Sequence, residues 1–461
     1  MVVDRRVLIS VRVAIIMSKD WLQALSIELK IAKIIHEQAQ TGWLFDSAGC
    51  ATHIGLLNNT MEGIHSKLKP QLPVNAKQFG VTMLEPFKLD GKLKKKATDW
   101  IGGVIVVGAF TRVYFEDMNL SSDPQVKAFL LTLGWKPTLW NTRKKDSKNG
   151  KRGERTGPKL HEKGKLCVNL EKLASSLGKD IVKYVTVGHR RGLLEGLIKV
   201  VRADGRIPAE ANPIGAATHR MTHKKVVNIP SVEAFYGEHI RGMFISREGY
   251  SIVGCDSKSN QARMLCHYMK DDVYTEAVVN GDIHSTNQAA AKLDTRANAK
   301  TFFYGFIFGA GDAKIGKIVG GSSTAGKKLK AQFLHSLPKL KRLLDNVKKV
   351  IRVRGYLIGL DGRKVYCNSE HKALNYLLQS AEAIYMKYSQ AFLYNAIKRR
   401  GLDARFVATV HDEYQLEVRD DHVEKVRELC LWAMEHTGKY LNLTVPMEGD
   451  VKVGQTWAGT H

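Results

Sequence analysis

Two strand-like apolar runs, each ending beside an aspartate, constrain this chain most. The first is Tyr250-Ser-Ile-Val-Gly-Cys-Asp256. The second aspartate, Asp412, stands in Val410-His-Asp-Glu413, between the strand-like stretches 406–410 and 414–418. If these strands lie side by side, two carboxylates meet at one spot. Like charges at close range repel unless a cation lies between them. Such a pair suits Mg2+, which takes oxygen ligands and commonly keeps phosphates in its shell. A lone aspartate at a strand end is ordinarily a turn former, so the reading depends on what lies between the two.

Charge narrows the partners. The formal charge is +26, and so large an excess repels itself unless a polyanion offsets it. No run of about 18 apolar residues is present, which argues against a membrane span. The basic residues are spread along the whole chain, a pattern that favours a nucleic-acid backbone. Two clusters stand out: Lys88, Lys92 and Lys94–Lys96, and the segment 143–165 with ten Lys/Arg against three acids. The six cysteines include no Cys-x-x-Cys pair, so neither a zinc site nor a disulfide framework is indicated. A reducing, cytoplasmic setting fits, the host's if the source is viral. Residues 1–17 are apolar but broken by Arg5, Arg6 and Arg12, so they read as a disordered leader and not as a signal peptide.

The periodicity predicts helices at 18–41 (capped by Ser18), 47–69, 168–203, most of 259–354, 370–399 and 420–440. A sheet-containing region is expected at 204–254, a strand-and-turn segment at 356–366 and a hairpin around His411. Within the helical region, Arg296, Lys300, Tyr304 and Phe308 recur every four residues. On a helix they form one stripe, with Arg296 and Lys300 about 6 Å apart along the axis. That spacing suits two phosphates of a triphosphate, and the aromatic faces suit a sugar and a base.

The ordered set runs Asp256-Ser-Lys-Ser-Asn-Gln-Ala-Arg263, Gly281-Asp-Ile-His284, Arg296…Lys300…Tyr304-Gly, Asn375…Gln379 and His411-Asp412-Glu413. It resembles the three polymerase motifs of family A DNA polymerases, in order and at family spacing. Within the family it is most similar to the replicative polymerases of short-tailed T-odd phages. Leu360-Asp-Gly-Arg-Lys-Val365, Ala373-Leu-Asn-Tyr-Leu-Leu-Gln-Ser-Ala381 and Gly42-Trp-Leu-Phe-Asp46 share the likeness, which covers residues 20–461. The resemblance implies an α+β right-hand fold with an antiparallel-sheet palm, helical fingers and a helical thumb. The expected division is a thumb with basic loops at 18–200, palm at 201–268 and 372–461, and fingers at 269–371.

The implied reaction adds dNTPs to a primer 3′-hydroxyl by two-metal phosphoryl transfer. The resemblance makes Asp256, Asp412 and the Ser257 carbonyl ligands of two Mg2+ ions, with Mn2+ as a substitute. Arg296, Lys300 and His284 match triphosphate-holding residues, and Lys300 could also serve as a general acid. Tyr304 takes the position against the sugar. Arg220, Asn375, Gln379 and His411 match primer–template contacts, with Glu413 an accessory near the metals. Primer–template DNA and dNTPs are the implied partners.

Three departures stand against the family pattern. Gln261 replaces the glutamate that gates the ribose 2′-hydroxyl, which removes one negative charge near the metals. Phe308 replaces a tyrosine whose hydroxyl would bond that gate, so weaker sugar discrimination is expected. Only about 40 residues precede Gly42, without an Asp-x-Glu exonuclease motif, so proofreading is expected from a separate exonuclease subunit. A processivity factor is a further partner left open. The rival readings are a single-subunit RNA polymerase-like enzyme, which the His-Asp-Glu motif disfavours, and a catalytically inactive DNA-binding relative.

Overall fold

The computed structural model describes residues 19–143, 154–162, 165–171, 173, 175–226 and 228–461. The leader, the Ser18 cap and residues 144–153 and 163–164 of the second basic cluster lie outside the described residues. The chain divides into two units, Ala48–Gly196 and a larger one joining the segment up to Ser47 with Leu197–His461. The thumb expected at 18–200 therefore differs from the observed division, whose first boundary falls at 47.

Helix α1 (Lys19–Thr41) explains the difference. Its Ile27, Ile31, Ile34 and Ile35 are buried in the core of the larger unit. Its polar residues are tied there as well: Gln38 Oε1 accepts from Thr409 at 2.8 Å, and Glu37 accepts from the Tyr394 hydroxyl at 2.9 Å.

The smaller unit is framed by α2 (Ser47–Leu68) and α3 (Ser176–Ile198). They run antiparallel. Arg191 donates to Asn58 at 3.0 Å, and Lys67 reaches Asp180 at 2.6 Å. Gly188 faces Met61 so closely that a Cβ would come within 3.2 Å of its methyl group. Between them in the chain, Val74–Gln78 pairs antiparallel with Val113–Asp117, and Leu68, Leu130, Trp135 and Ile181 belong to a core of their own. Lys88, Lys92, Lys95 and Lys96 are exposed on this unit.

The larger unit is built on a four-stranded antiparallel sheet. Its strands are β1 (Tyr250–Ser257), β2 (Ala404–Val410), β3 (Glu413–Arg419) and β4 (Gly449–Gly454), in the order β2-β3-β1-β4. Side chains alternate across a strand, and β3 shows the consequence. Tyr414, Leu416 and Val418 enter the apolar core. Glu413, Gln415 and Glu417 point the other way yet are also buried, under the segments around 206–247 and 456–461. Arg206 forks onto Glu417 at 3.1 Å, and Thr460 donates to Gln415 at 3.1 Å.

The helices of 259–354 begin at identifiable caps. They include α4 (Asn260–Met269), α5 (Ile283–Ala291) and α6 (Arg296–Ile307). Asp282 accepts from the His284 amide at 3.0 Å, and Thr295 from Asn298 at 3.1 Å, satisfying first-turn donors that have no partner inside the helix. Helix α7 (Ala373–Arg399) is buried nearly all round, which accounts for its weak sidedness. Several of its polar residues are paired inside the protein: Ser389 with Tyr414 at 2.6 Å, Gln390 with Thr409 at 2.7 Å, and Lys387 with Glu28 of α1 at 2.6 Å. Helix α8 (Val423–Tyr440) covers the same face of the sheet.

Glu28 also takes Arg363, whose guanidinium is clasped by Asp361, and both Arg363 and Lys387 are about 1% exposed. Burial pulls the Lys387 ammonium down to about 8 against the pull of Glu28. Removing one partner of a buried ion pair leaves a charge uncompensated, at a cost of roughly 3 kcal/mol. Glu28→Ala should therefore lower unfolding stability by about that much in urea titrations, and adding Lys387→Met should recover part of the loss.

Candidate active site

The strand register puts acids beside one another. Asp256 of β1 lies opposite Glu413 of β3 on one side and Asp450 of β4 on the other. The turn between β2 and β3 carries Asp412, with His411 at φ +55°. The Ser257 amide donates to the Asp412 carbonyl at 3.0 Å, fixing that turn to the end of β1. The two aspartates thus meet as the strand pattern requires.

Their electrostatics are those of a crowded pair. Asp256 opens to solvent on one side, but the protein on its other side strips hydration and pushes its carboxyl up to about 8; Asp412, Glu413, Asp450 and Glu382 add to the rise. Burial likewise lifts Asp412 to about 6, followed by the charge of Glu382. Glu413 goes the other way. Burial opposes its charge, but the donors of His461, Gln415 and Trp457 outweigh it and hold its pKa below the usual range. Trp457 donates to it at 2.9 Å and His461 lies at 3.2 Å. Glu413 lies opposite Asp256, with its carboxylate taken up by donors inside the protein.

Helix α6 brings its stripe to the same place. Burial raises the Tyr304 phenol, and Asp412 and Asp256 raise it further, so this ring lies within reach of both carboxylates' charge. Phe308 stacks beside it with ring centroids 6.2 Å apart. Arg296, at the other end, forks onto Asp282 at 2.6 and 3.0 Å. His284 lies between, its ring 6.0 Å from Tyr304; desolvation and then Arg296 and Lys300 keep its pKa low. Lys300 is exposed on the same stripe.

Primer-side candidates divide. Arg220 and His411 are beside Asp412. Desolvation, then Arg220 and His223, push the His411 ring down to about 4. Gln379 accepts from Thr218 at 3.3 Å. Asn375 sits apart, lining a hollow of about 330 Å³ with Gly309, Lys330 and His371. Gln261 is buried, and its amide donates to Glu382 Oε2 at 2.7 Å. Glu382 and Asp450 are the members that sequence reasoning missed. An acid inside the apolar run Leu374–Ile384 was the available signal for Glu382; Asp450 had none, since only register reveals it.

The donor set fits a divalent cation, since two carboxylates held together and partly stripped of water gain most from one. Among the described residues, no group of three or more His, Cys, Asp or Glu is already gathered to hold a metal ion. A cation at Asp256 and Asp412 would complete its shell with carbonyl, water or phosphate oxygen, as Mg2+ commonly does.

An antiparallel sheet with paired carboxylates and a helix carrying Arg, Lys and Tyr on one stripe is the arrangement to set beside known proteins. The sequence profile of DNA polymerase family A matches residues 107–459. The chain belongs to that family and is a DNA-directed DNA polymerase. It is 28% identical to the DNA-directed DNA polymerase of Escherichia phage Phieco32, covering 94% of this chain and 98% of that one. It is 29% identical to the enzyme of Enterobacteria phage T3, covering 95% of this chain and 70% of the relative. Identity to the Escherichia phage T7 enzyme is 33%, over 77% of this chain and 54% of the relative. The fold matches the POL domain of Pol1 from M. smegmatis, solved with DNA primer-template and dNTP. That match has a TM-score of 0.70 at 21% identity and covers 94% of this chain and 70% of the other. The right-hand fold is thereby established. No helix of the described residues is long and apolar enough to cross a membrane.

The crowded pair sets a pH dependence. Both carboxyls hold protons more tightly folded than unfolded, so this contribution to stability is complete near pH 4 and is lost as pH rises through about 6 and 8. Chelator-treated protein should therefore unfold more easily at pH 8 than at pH 5. Asp256→Asn should flatten the upper part of that profile, as read by thermal melts.

Proposed function

We propose that this site adds dNTPs to a primer 3′-hydroxyl, displacing pyrophosphate in line. The observation that carries the reading is the approach of the α6 stripe, through Tyr304, to Asp256 and Asp412. Asp256, Asp412 and the Ser257 carbonyl are the groups that would hold two Mg2+ ions, or Mn2+ in their place. Bound there, divalent ions supply charge neutralisation and acidify the attacking hydroxyl.

The chain's own residues do the positioning. Arg296 exchanges its partner Asp282 for a phosphate oxygen, and Lys300 meets the next phosphate one turn on. Lys300 is also placed to give a proton to the departing pyrophosphate. His284, whose pKa is lowered by desolvation and then by Arg296 and Lys300, is placed to donate a hydrogen bond to the same phosphates. Tyr304 and Phe308 offer flat faces to sugar and base. Arg220 and His411 stand at the primer end, with Gln379 and Asn375 toward the template. Minor-groove acceptors are shared by all base pairs, so an arginine there checks pair geometry rather than sequence.

Primer extension with dNTPs against rNTPs tests the reading and separates it from the RNA polymerase-like and inactive alternatives. Asp412→Ala should abolish extension. Lys300→Ala should lower kcat by roughly 100-fold or more, the usual loss for a positioned proton donor or charge stabiliser. Extension unchanged by either substitution contradicts the assignment. Neutralising Lys88, Lys92 and Lys96 together should weaken DNA binding and lower the salt slope by about one for each DNA phosphate that these lysines neutralise.

A further inference from the structure

Gln261 raises a question of charge. The family pattern places a glutamate there, and an amide removes one negative charge from the site. The structure shows a carboxylate at that spot all the same, delivered by another element. Glu382 projects from α7, is fully buried, and accepts from Gln261 Nε2 at 2.7 Å through one oxygen. Its other oxygen takes the guanidinium of Arg220. Its charge reaches both Asp256 and Asp412.

The two residue types require each other. A glutamate at 261 would bring two carboxylates to hydrogen-bonding distance in a buried place, where one must stay protonated or move away. A glutamine avoids this by donating. Because its nitrogen is committed to Glu382, the Gln261 amide has a single orientation, and its oxygen is left as the free acceptor. An amide held by a charged partner is a more rigid gate than one free to flip. Arg220 is held by the same carboxylate and so is aligned with the gate.

We infer that Glu382 is a positioning residue for sugar selection: the site's carboxylate has moved from position 261 on α4 to position 382 on α7, and Gln261 acts as the sugar gate only while Glu382 orients it. The inference rests on the reading of this site as a dNTP-adding centre. It replaces the expectation of a weakened gate by one of a relocated charge.

A charge swap tests it. Gln261→Glu, Glu382→Gln and the double variant are compared with the unmodified chain for the ratio of dNTP to rNTP incorporation efficiency. Primer–template affinity and melting temperature are recorded beside it. Each single substitution should lower the ratio roughly 10- to 100-fold, the worth of a charge-assisted hydrogen bond. Gln261→Glu does so by repulsion and Glu382→Gln by releasing the amide. The double variant restores one carboxylate and one amide, and should return the ratio to within roughly 10-fold of the starting value, since contacting residues couple non-additively. A double variant no better than the worse single overturns the inference. So does a Glu382→Gln ratio within about two-fold of the unmodified chain. Misfolding of the double variant along with both singles also overturns it, because the pair would then serve packing. If the unmodified chain extends no primer, the proposed function fails instead, and the two failures remain distinguishable.

Discussion

The antiparallel ladder between β1 and β3 is the constraint on which the site depends. It aligns Asp256 with Glu413, and the ladder to β4 aligns it with Asp450. Acidic side chains so close oppose their own assembly. The ladder holds because its apolar face is sealed: Val253 and Cys255 of β1 and Tyr414, Leu416 and Val418 of β3 are all fully buried. Hydrophobic burial on one face thus sustains electrostatic strain at its end. A slip of one residue would send every acid to the opposite face, so the register that serves the core also serves the chemistry.

The surrounding protein treats these acids unequally. Glu413 is satisfied by Trp457, Gln415 and His461, and Glu417 by Arg206 and Arg247. Asp256 and Asp412 receive no comparable set of donors, and their pKa values rise instead of falling. That contrast separates acids whose charge the protein itself satisfies from the two whose charge it leaves uncompensated. The overall charge of +26 makes the contrast sharper, since basic side chains are abundant elsewhere.

Much of this was legible in the sequence, and for physical reasons. Strands ending in Asp256 and Asp412 are short-range patterns, as is the four-residue repeat from Arg296 to Phe308, so they survive without knowledge of the fold. The place of α1 was not legible. Its isoleucine stripe says that a face is buried but not against which partner, and α7 and β2 are distant in sequence. Glu382 was missed because a single acid in an apolar helix gains meaning only through Gln261 and Arg220, which are more than 100 residues away. The donors of Glu413 were not legible for the same reason, since Trp457 and His461 reach it only after the last segment folds back.

The fork between Arg296 and Asp282 has a consequence of its own. The Asp282 carboxylate accepts from the His284 amide and the Ser285 hydroxyl in the first turn of α5, and at the same time holds Arg296, the first residue of α6. One carboxylate therefore couples the ends of two helices. Both partners of the fork are open to solvent, where such pairs are readily exchanged. An arriving polyanion would release Asp282 from Arg296 while leaving its cap on α5 in place. On the proposed reading the joint would act as a light latch, closed by the protein's own anion, opened by a stronger one and free to reclose when that anion departs.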